Sequence, residues 1–285
     1  MRPPRFAGMF YEAAPTMLDK QLEWCFKSKN GPGELPATKK KGDEVLGAIV
    51  PHAGYIYSGP CAAWAYKAIA EAGMPDLFII LGPNHHGTGA GTTMETFDLP
   101  YGEIRVDQDF VRKLLEKGTI KINDQAHATE HSIEVQLPFL QFVFKKNLEK
   151  IKIVPIIVDH DVDLKKLAVD IKETILDTKK KVIIIAASDF THYGRNYHYV
   201  PFSIDIKKNI YKLDGDAIEL IKNMDAKGFL EYVDDKMATI CGSLAIALLM
   251  LSVNSKKVLL EQYYTSGDLS DDYKNSVSYA SIIFK

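Results

Sequence analysis

Short apolar runs, closed by Pro, Gly, Asn, Ser or Asp, alternate along this chain with stretches of helical periodicity. Apolar positions three and four apart predict an amphipathic helix over Pro15–Lys27. Runs of Ile, Val and Leu predict strands over 45–50, 77–81, 151–158 and Val182–Ala187, with helices over 58–72, 107–117, 132–146 and 163–177. Ser58-Gly-Pro60 opens the helix over 58–72, with Pro60 in its first turn. Strands apolar on both faces and joined by helices belong to a mostly parallel sheet covered on both sides. Helices follow over 206–224, 226–232 and 241–252. Two last strands, 257–265 and 276–284, are close enough in sequence to pair antiparallel at an edge of the sheet, across an acidic turn at 267–272. Residues 31–42 and the glycine-rich run 87–91 read as loops.

The predicted fold class is therefore α/β: a single domain over 1–285, with a mostly parallel central sheet, helices on both faces and an antiparallel edge. No repeat, low-complexity tract or long linker divides the chain. At 285 residues, 46% hydrophobic and 25% charged, the composition is that of an ordinary globular protein. A net charge of −2 leaves no basic footprint for nucleic acid. The amino terminus lacks the apolar stretch of a secretory signal, and the longest apolar run, 244–253, falls short of the ~20 residues a membrane span needs. The expectation is a cytoplasmic protein without a membrane partner. Cys25, Cys61 and Cys241 are too few, and odd in number, for a disulfide framework.

Three strands end in chemistry. Leu77-Phe-Ile-Ile-Leu-Gly-Pro-Asn runs into His85 and His86, Leu46-Gly-Ala-Ile-Val-Pro into His52, and Val182-Ile-Ile-Ile-Ala-Ala-Ser into Asp189, with His192 three residues on. The carboxyl edge of an open α/β sheet is where ligands bind, so these groups converge on one candidate site. His52 and His85 lie one strand-helix-strand unit apart, which places them on neighbouring strands within reach of a shared ion. His85 is nearer its strand than His86, which suits the turn. Asp189 is either a third ligand or the group that orients an imidazole, and His192 a general acid/base; against this stands an Asx turn with a surface histidine. Cys241 sits at the amino end of the apolar helix over 241–252, where a lowered thiol pKa would suit a ligand or nucleophile, although a buried packing thiol fits as well. Cys25 and Cys61 read as packing residues. Glu130-His131-Ser-Ile-Glu134 reads as a helix start whose Glu130 and His131 are candidates for contact with substrate or with a metal ligand. His127, His160 and His198 read as surface residues. The run 87–91 lacks the G-x-G-x-x-G spacing and the following helix of a dinucleotide site, so no nucleotide cofactor is expected.

Taken in order, Ala7-Gly-Met-Phe-Tyr11, Pro51-His-Ala-Gly-Tyr55, Leu81-Gly-Pro-Asn-His-His86, Glu130-His-Ser-Ile-Glu134, Ser188-Asp-Phe-Thr-His192, Thr239-Ile-Cys-Gly242 and Ser276-Val-Ser-Tyr-Ala280 resemble the signature segments of the Memo family. The resemblance covers nearly the whole chain. In microbes such proteins are also named AmmeMemoRadiSam system protein B, which implies a radical-SAM pathway partner. The family's fold is similar to that of class III extradiol non-haem iron dioxygenases. By that resemblance His52, His85 and Cys241 are metal ligands, with Asp189 and His192 beside them and Tyr55 and His86 near the substrate. A thiolate in place of the dioxygenase carboxylate makes the site softer, so Fe(II) is the first expectation, with copper or zinc as alternatives.

Two readings stay open on the sequence. One is a mononuclear metal-dependent redox enzyme, resembling non-haem dioxygenases, acting on a small molecule or peptide. The other is a binding or scaffold protein that uses the same cleft, without catalysis, to hold a peptide or partner protein. Metal-free nucleophilic catalysis by Cys241 is a weaker third.

Overall fold

The computed structural model describes residues 1–37, 44–87 and 89–285. Parts of the two loops read at 31–42 and 87–91 lie outside them. The apolar runs form four parallel strands: β1 (Gly47–Val50), β2 (Leu77–Pro83), and, further along, Lys152–Val158 and Val182–Ala187. Between β2 and the third of these come two short strands, β3 (Gly91–Thr92) and β4 (Arg105–Val106), so Lys152–Val158 is β5 and Val182–Ala187 is β6. His192–Gly194 is β7, and the last two strands are β8 (Val258–Thr265) and β9 (Asn275–Phe284).

Among the described residues the sheet has nine strands, in the order β3-β5-β2-β6-β1-β9-β7 with β4 added beside β5 and β8 beside β9. Pairing is parallel from β5 through β2 and β6 to β1, and antiparallel wherever β9 takes part. The antiparallel pair β8–β9 is as the sequence predicts, but β9 continues the sheet from β1 and also pairs with β7. β6 lies between β1 and β2, so His52 and His85 do not leave adjacent strands as predicted. The Ser188–His192 loop rises between them.

β1, β2 and all but the first residue of β6 are buried, because helices cover both faces. On one side α1 (Pro15–Lys27) packs against α2 (Tyr55–Ala72) and both meet a helix at Leu137–Val143. Two other helices precede that one, α3 (Gln108–Glu116) and α4 (Asp124–Thr129), making it α5. On the other side α6 (Leu164–Thr178) packs on an apolar helix at Ser243–Ser252, which touches β2 and β6. The intervening α7 (Ile206–Lys222) and α8 (Ala226–Lys236) make that apolar helix α9, and Ser266–Ser270 forms α10 in the predicted acidic turn. Asp107, Asp163 and Asp225 cap α3, α6 and α8 by accepting a backbone N–H from the first turn.

Two predicted helices differ in detail. α2 begins at Tyr55 rather than residue 58, because the Gly54 carbonyl accepts the N–H groups of Tyr57 and Ser58 at 2.9 and 3.1 Å. Pro60 therefore sits in the second turn. The helix predicted over 132–146 is broken into a 3-10 turn at Glu134–Gln136, α5, and a second 3-10 turn at Lys145–Lys150. Among the described residues, no helix is long and apolar enough to cross a membrane.

Candidate metal centre

Register explains how the site is assembled. Val50 of β1 lies opposite Ala187 of β6, so His52 and Asp189, each two residues further on, emerge at the same level. The buried Asp189 carboxylate accepts the backbone N–H of His52 at 2.9 Å and of Ala53 at 3.3 Å. These are the partners that an aspartate following such an apolar strand requires. Its other oxygen is 3.9 Å from His52 Nε2. Burial raises the Asp189 pKa, against the opposing pull of His192 and the two backbone donors.

Cys241 lies in the turn before α9. Its Sγ is 3.2 Å from His52 Nε2 and 3.6 Å from the Asp189 carbonyl oxygen. The following glycine permits this approach: a Cβ on Gly242 would stand 2.5 Å from the Ala187 carbonyl oxygen. The expected lowering of the thiol pKa is not found. Helix α9 starts two residues after Cys241, and burial, with Asp189 adding to it, pushes the thiol well above its ordinary value.

His85 completes a set in which the donor atoms of His52, His85 and Cys241 all lie within 4.8 Å of one another. Asp189 is outside that set. The His85 side chain is 29% exposed, so the cluster opens to solvent on its side. Behind it lies Glu130, whose Oε1 is 2.9 Å from His85 Nδ1 and accepts the N–H groups of His131 and Ser132 at 2.8 and 2.9 Å, while Oε2 accepts the His85 N–H at 2.9 Å. Burial alone would raise this carboxyl. The hydrogen bond and charge of His85, with His131 and Ser132, instead hold it well below the usual carboxylate range. An ionised carboxylate only accepts, so His85 Nδ1 carries a proton, and in the neutral ring Nε2 is the nitrogen with the lone pair. Gly82 leaves room for the Ser132 and Ile133 side chains to pack on β2, since a Cβ there would lie within 3.0 Å of Ser132 Oγ and Ile133 Cγ1.

His131 stacks on His85 with centroids 4.6 Å apart and meets the His52 ring at 5.2 Å. Burial, with His85 and His86 beside it, lowers its pKa to about 4 despite Glu130. His52 is likewise held neutral, chiefly by burial and by the His131 and His85 rings. The buried His52 Nδ1 has no hydrogen-bond partner. His192 Nδ1 is 2.9 Å from the carbonyl oxygens of both Phe190 and Thr239, so it donates and leaves Nε2 as the basic nitrogen.

Other predicted residues fall elsewhere. Tyr55 is buried away from the cluster, its hydroxyl donating to the Val135 carbonyl at 2.5 Å and its ring set between Tyr11 and Phe139; the requirement of α2 to pack on α5 places it there. His86 is exposed at the rim, its N–H on Asn84 Oδ1. His160 and His198 are exposed, but His127 is buried beneath β3 with Nε2 3.1 Å from the Gly91 carbonyl oxygen, and burial lowers its pKa to about 4. Cys25 and Cys61 are buried packing residues. Sequence reasoning misses the amino-terminal segment: Phe6 and Phe10 lay their rings 5.5 and 4.6 Å from His131, a contact no local pattern announces.

The donor set fits a cation. It offers two imidazoles, one with its tautomer set by a carboxylate, and a thiol. Binding would deprotonate Cys241, since a coordinating cation overrides the burial that keeps the thiol protonated.

Comparison with known proteins is consistent along the whole chain. The model of the Memo-like protein family matches residues 2–283. A MEMO1 family protein of Methanopyrus kandleri is 38% identical over 296 residues, covering 100% of this chain and 99% of that one. Another, of Saccharolobus solfataricus, is 37% identical, covering 99% of each. Among solved structures, that of an uncharacterized protein from Escherichia coli K12 superposes with a TM-score of 0.54 at 14% identity, covering 85% of this chain and all of the other, a likeness of fold alone. With a family match and relatives of this similarity both spanning its full length, this chain belongs to the Memo-like protein family.

Proposed function

We propose that this Memo-family protein is a mononuclear metal-dependent redox enzyme, with Fe(II) as its metal and copper as the alternative, acting on a small molecule or peptide. The observation that carries the reading is the set of three donor atoms from two strand ends and the turn before α9, all within 4.8 Å. A cation held by His52, His85 and Cys241 would supply Lewis acidity and, as iron or copper, one-electron chemistry.

The chain's own groups divide the remaining work. Glu130 orients His85 through Nδ1 and keeps its ring in one tautomer. Asp189 fixes the His52 backbone from β6. His192, with Nδ1 committed to two carbonyls, presents Nε2 as the group that takes or gives a proton. Phe6 and Phe10 exclude water from the side of His131.

A second reading, a non-catalytic cleft that holds a peptide or a partner from a radical-SAM pathway, draws support from the apolar surface nearby. Met9, Ile56 and Tyr57 are exposed around a cavity of about 340 Å³ that Phe10 and Gly54 also line. The test is oxygen uptake by iron-loaded and copper-loaded protein across a panel of small reducing substrates, with His192→Gln alongside. Turnover that falls about 10²-fold or more in His192→Gln at unchanged metal content supports the enzyme. Full metal occupancy without turnover moves the assignment to the binding cleft.

A further inference from the structure

Glu130 and Glu134 are two buried carboxylates four residues apart, on either side of the break after α4, and among the described residues the donors on Glu134 come from the start of the chain. Arg2 Nη1 pairs with Glu134 Oε2, while the Phe6 N–H and the Tyr11 hydroxyl both donate to Oε1 at 2.8 Å. The Arg2 guanidinium does more than neutralise this carboxylate. Its Nε donates to the His127 carbonyl and its Nη2 to the Glu130 carbonyl, both at 2.7 Å, and it lies 5.0 Å over the Phe97 ring. The Arg2 backbone is fixed too, donating to the Thr96 carbonyl at 2.8 Å and accepting the Asp98 N–H at 2.9 Å.

These bonds meet at the end of α4. A continuing helix would pair the His127 carbonyl with the His131 N–H. Here the Glu130 side chain takes the N–H groups of His131 and Ser132, and the helix stops. The carbonyls of His127 and Glu130 are buried beside an arginine that is only 3% exposed. Arg2 therefore grips Glu130 by its carbonyl on one side, while the Glu130 carboxylate grips His85 on the other.

We propose that Arg2 is a positioning residue for the candidate centre: by holding the Glu130 carbonyl it sets the direction of the Glu130 carboxylate, and with it the His85 tautomer that leaves Nε2 free. The metal part of this inference rests on the reading of His85 as a ligand; the tautomer part does not. A lysine keeps the charge but is a point donor, and it cannot span a carboxylate and two carbonyls in a plane.

The test uses full-length protein and Arg2→Lys, with trimethylamine N-oxide added if the variant is partly unfolded. In metal-free protein, imidazole 15N spectra report the His85 tautomer, which a merely structural loss of stability would not move. Wild type is expected to show Nδ1 protonated and Arg2→Lys a mixture. Zn(II) affinity by calorimetry is expected to fall ~10–100-fold in the folded variant, as when a partner of a metal-bound histidine is lost. A folded Arg2→Lys with the wild-type His85 tautomer overturns the proposal, as does unchanged Zn(II) affinity. If wild type binds no Zn(II), the metal reading fails and the 15N result alone decides. Coupling is reciprocal, so Zn(II) binding to wild type should slow amide exchange at Phe6 and Asp98 several-fold, and unchanged exchange on binding also counts against it.

Discussion

Glu130→Gln isolates what a single charge contributes at this site. The amide must place its oxygen where Oε1 stands, because three donors, His85 Nδ1 and the N–H groups of His131 and Ser132, converge there. Its NH2 then faces the His85 N–H that Oε2 accepts in wild type. Three charge-assisted bonds become neutral ones, at about 1 kcal/mol each, and one N–H is left facing a donor, at about 1–3 kcal/mol. Part is offset because a carboxylate no longer has to be buried. The expected net loss is ~2–4 kcal/mol, read as a lower urea midpoint at unchanged slope. Metal affinity should fall ~10–100-fold, since the His85 ring loses the anion that orients it. Glu130→Asp, too short to reach the same four donors, should lose on both counts. A Glu130→Gln protein within ~0.5 kcal/mol of wild-type stability would refute the claim that this carboxylate organises the loop.

Other positions test separate parts of the account. His127 titrates at about 4 when folded, against 6.5 for its ordinary value, so the unfolded chain binds the extra proton between these pH values. Stability should be complete above pH 6.5 and fall by roughly 3 kcal/mol toward pH 4, and His127→Gln should flatten that part of the denaturation profile. Asp189→Asn retains an oxygen for the His52 and Ala53 N–H groups and should cost less than ~1 kcal/mol, whereas Asp189→Ala leaves both unpaired and should cost ~2–4 kcal/mol in thermal or urea unfolding. Gly242→Ala forces the Cys241 turn off Ala187 and should cost ~1–3 kcal/mol while weakening metal binding in a titration. Tyr55→Phe should cost ~1 kcal/mol for its bond to Val135 and leave metal affinity unchanged, a check on its placement away from the site.

How much of this the sequence discloses depends on the range of the cause. The strand ends that carry His52, His85 and Asp189 are legible because an apolar run broken by Pro51, by Gly82-Pro-Asn84 or by Ser188-Asp189 is a local signal, and the carboxyl-edge rule turns it into a site. The interposition of β6 between β1 and β2 is not legible, since strand order follows from packing across the whole sheet. The broken helix after residue 132 has a tertiary cause as well: Glu134 and Gln136 are turned inward to Arg2 and to the Tyr66 hydroxyl, and local periodicity carries no record of either partner. The Cys241 pKa goes against expectation because position before a helix is local whereas burial is not. Arg2 leaves the faintest signal, an arginine among prolines at a chain end, yet it reaches residues more than a hundred positions away.

Metal content by mass spectrometry on anaerobically purified protein, wild type beside His85→Ala and Cys241→Ser, tests the central claim most directly. The account predicts about one iron or copper per chain in wild type and its loss from both variants while they remain folded. Wild-type protein that stays metal-free after incubation with iron and copper, or variants that retain the metal, would contradict it.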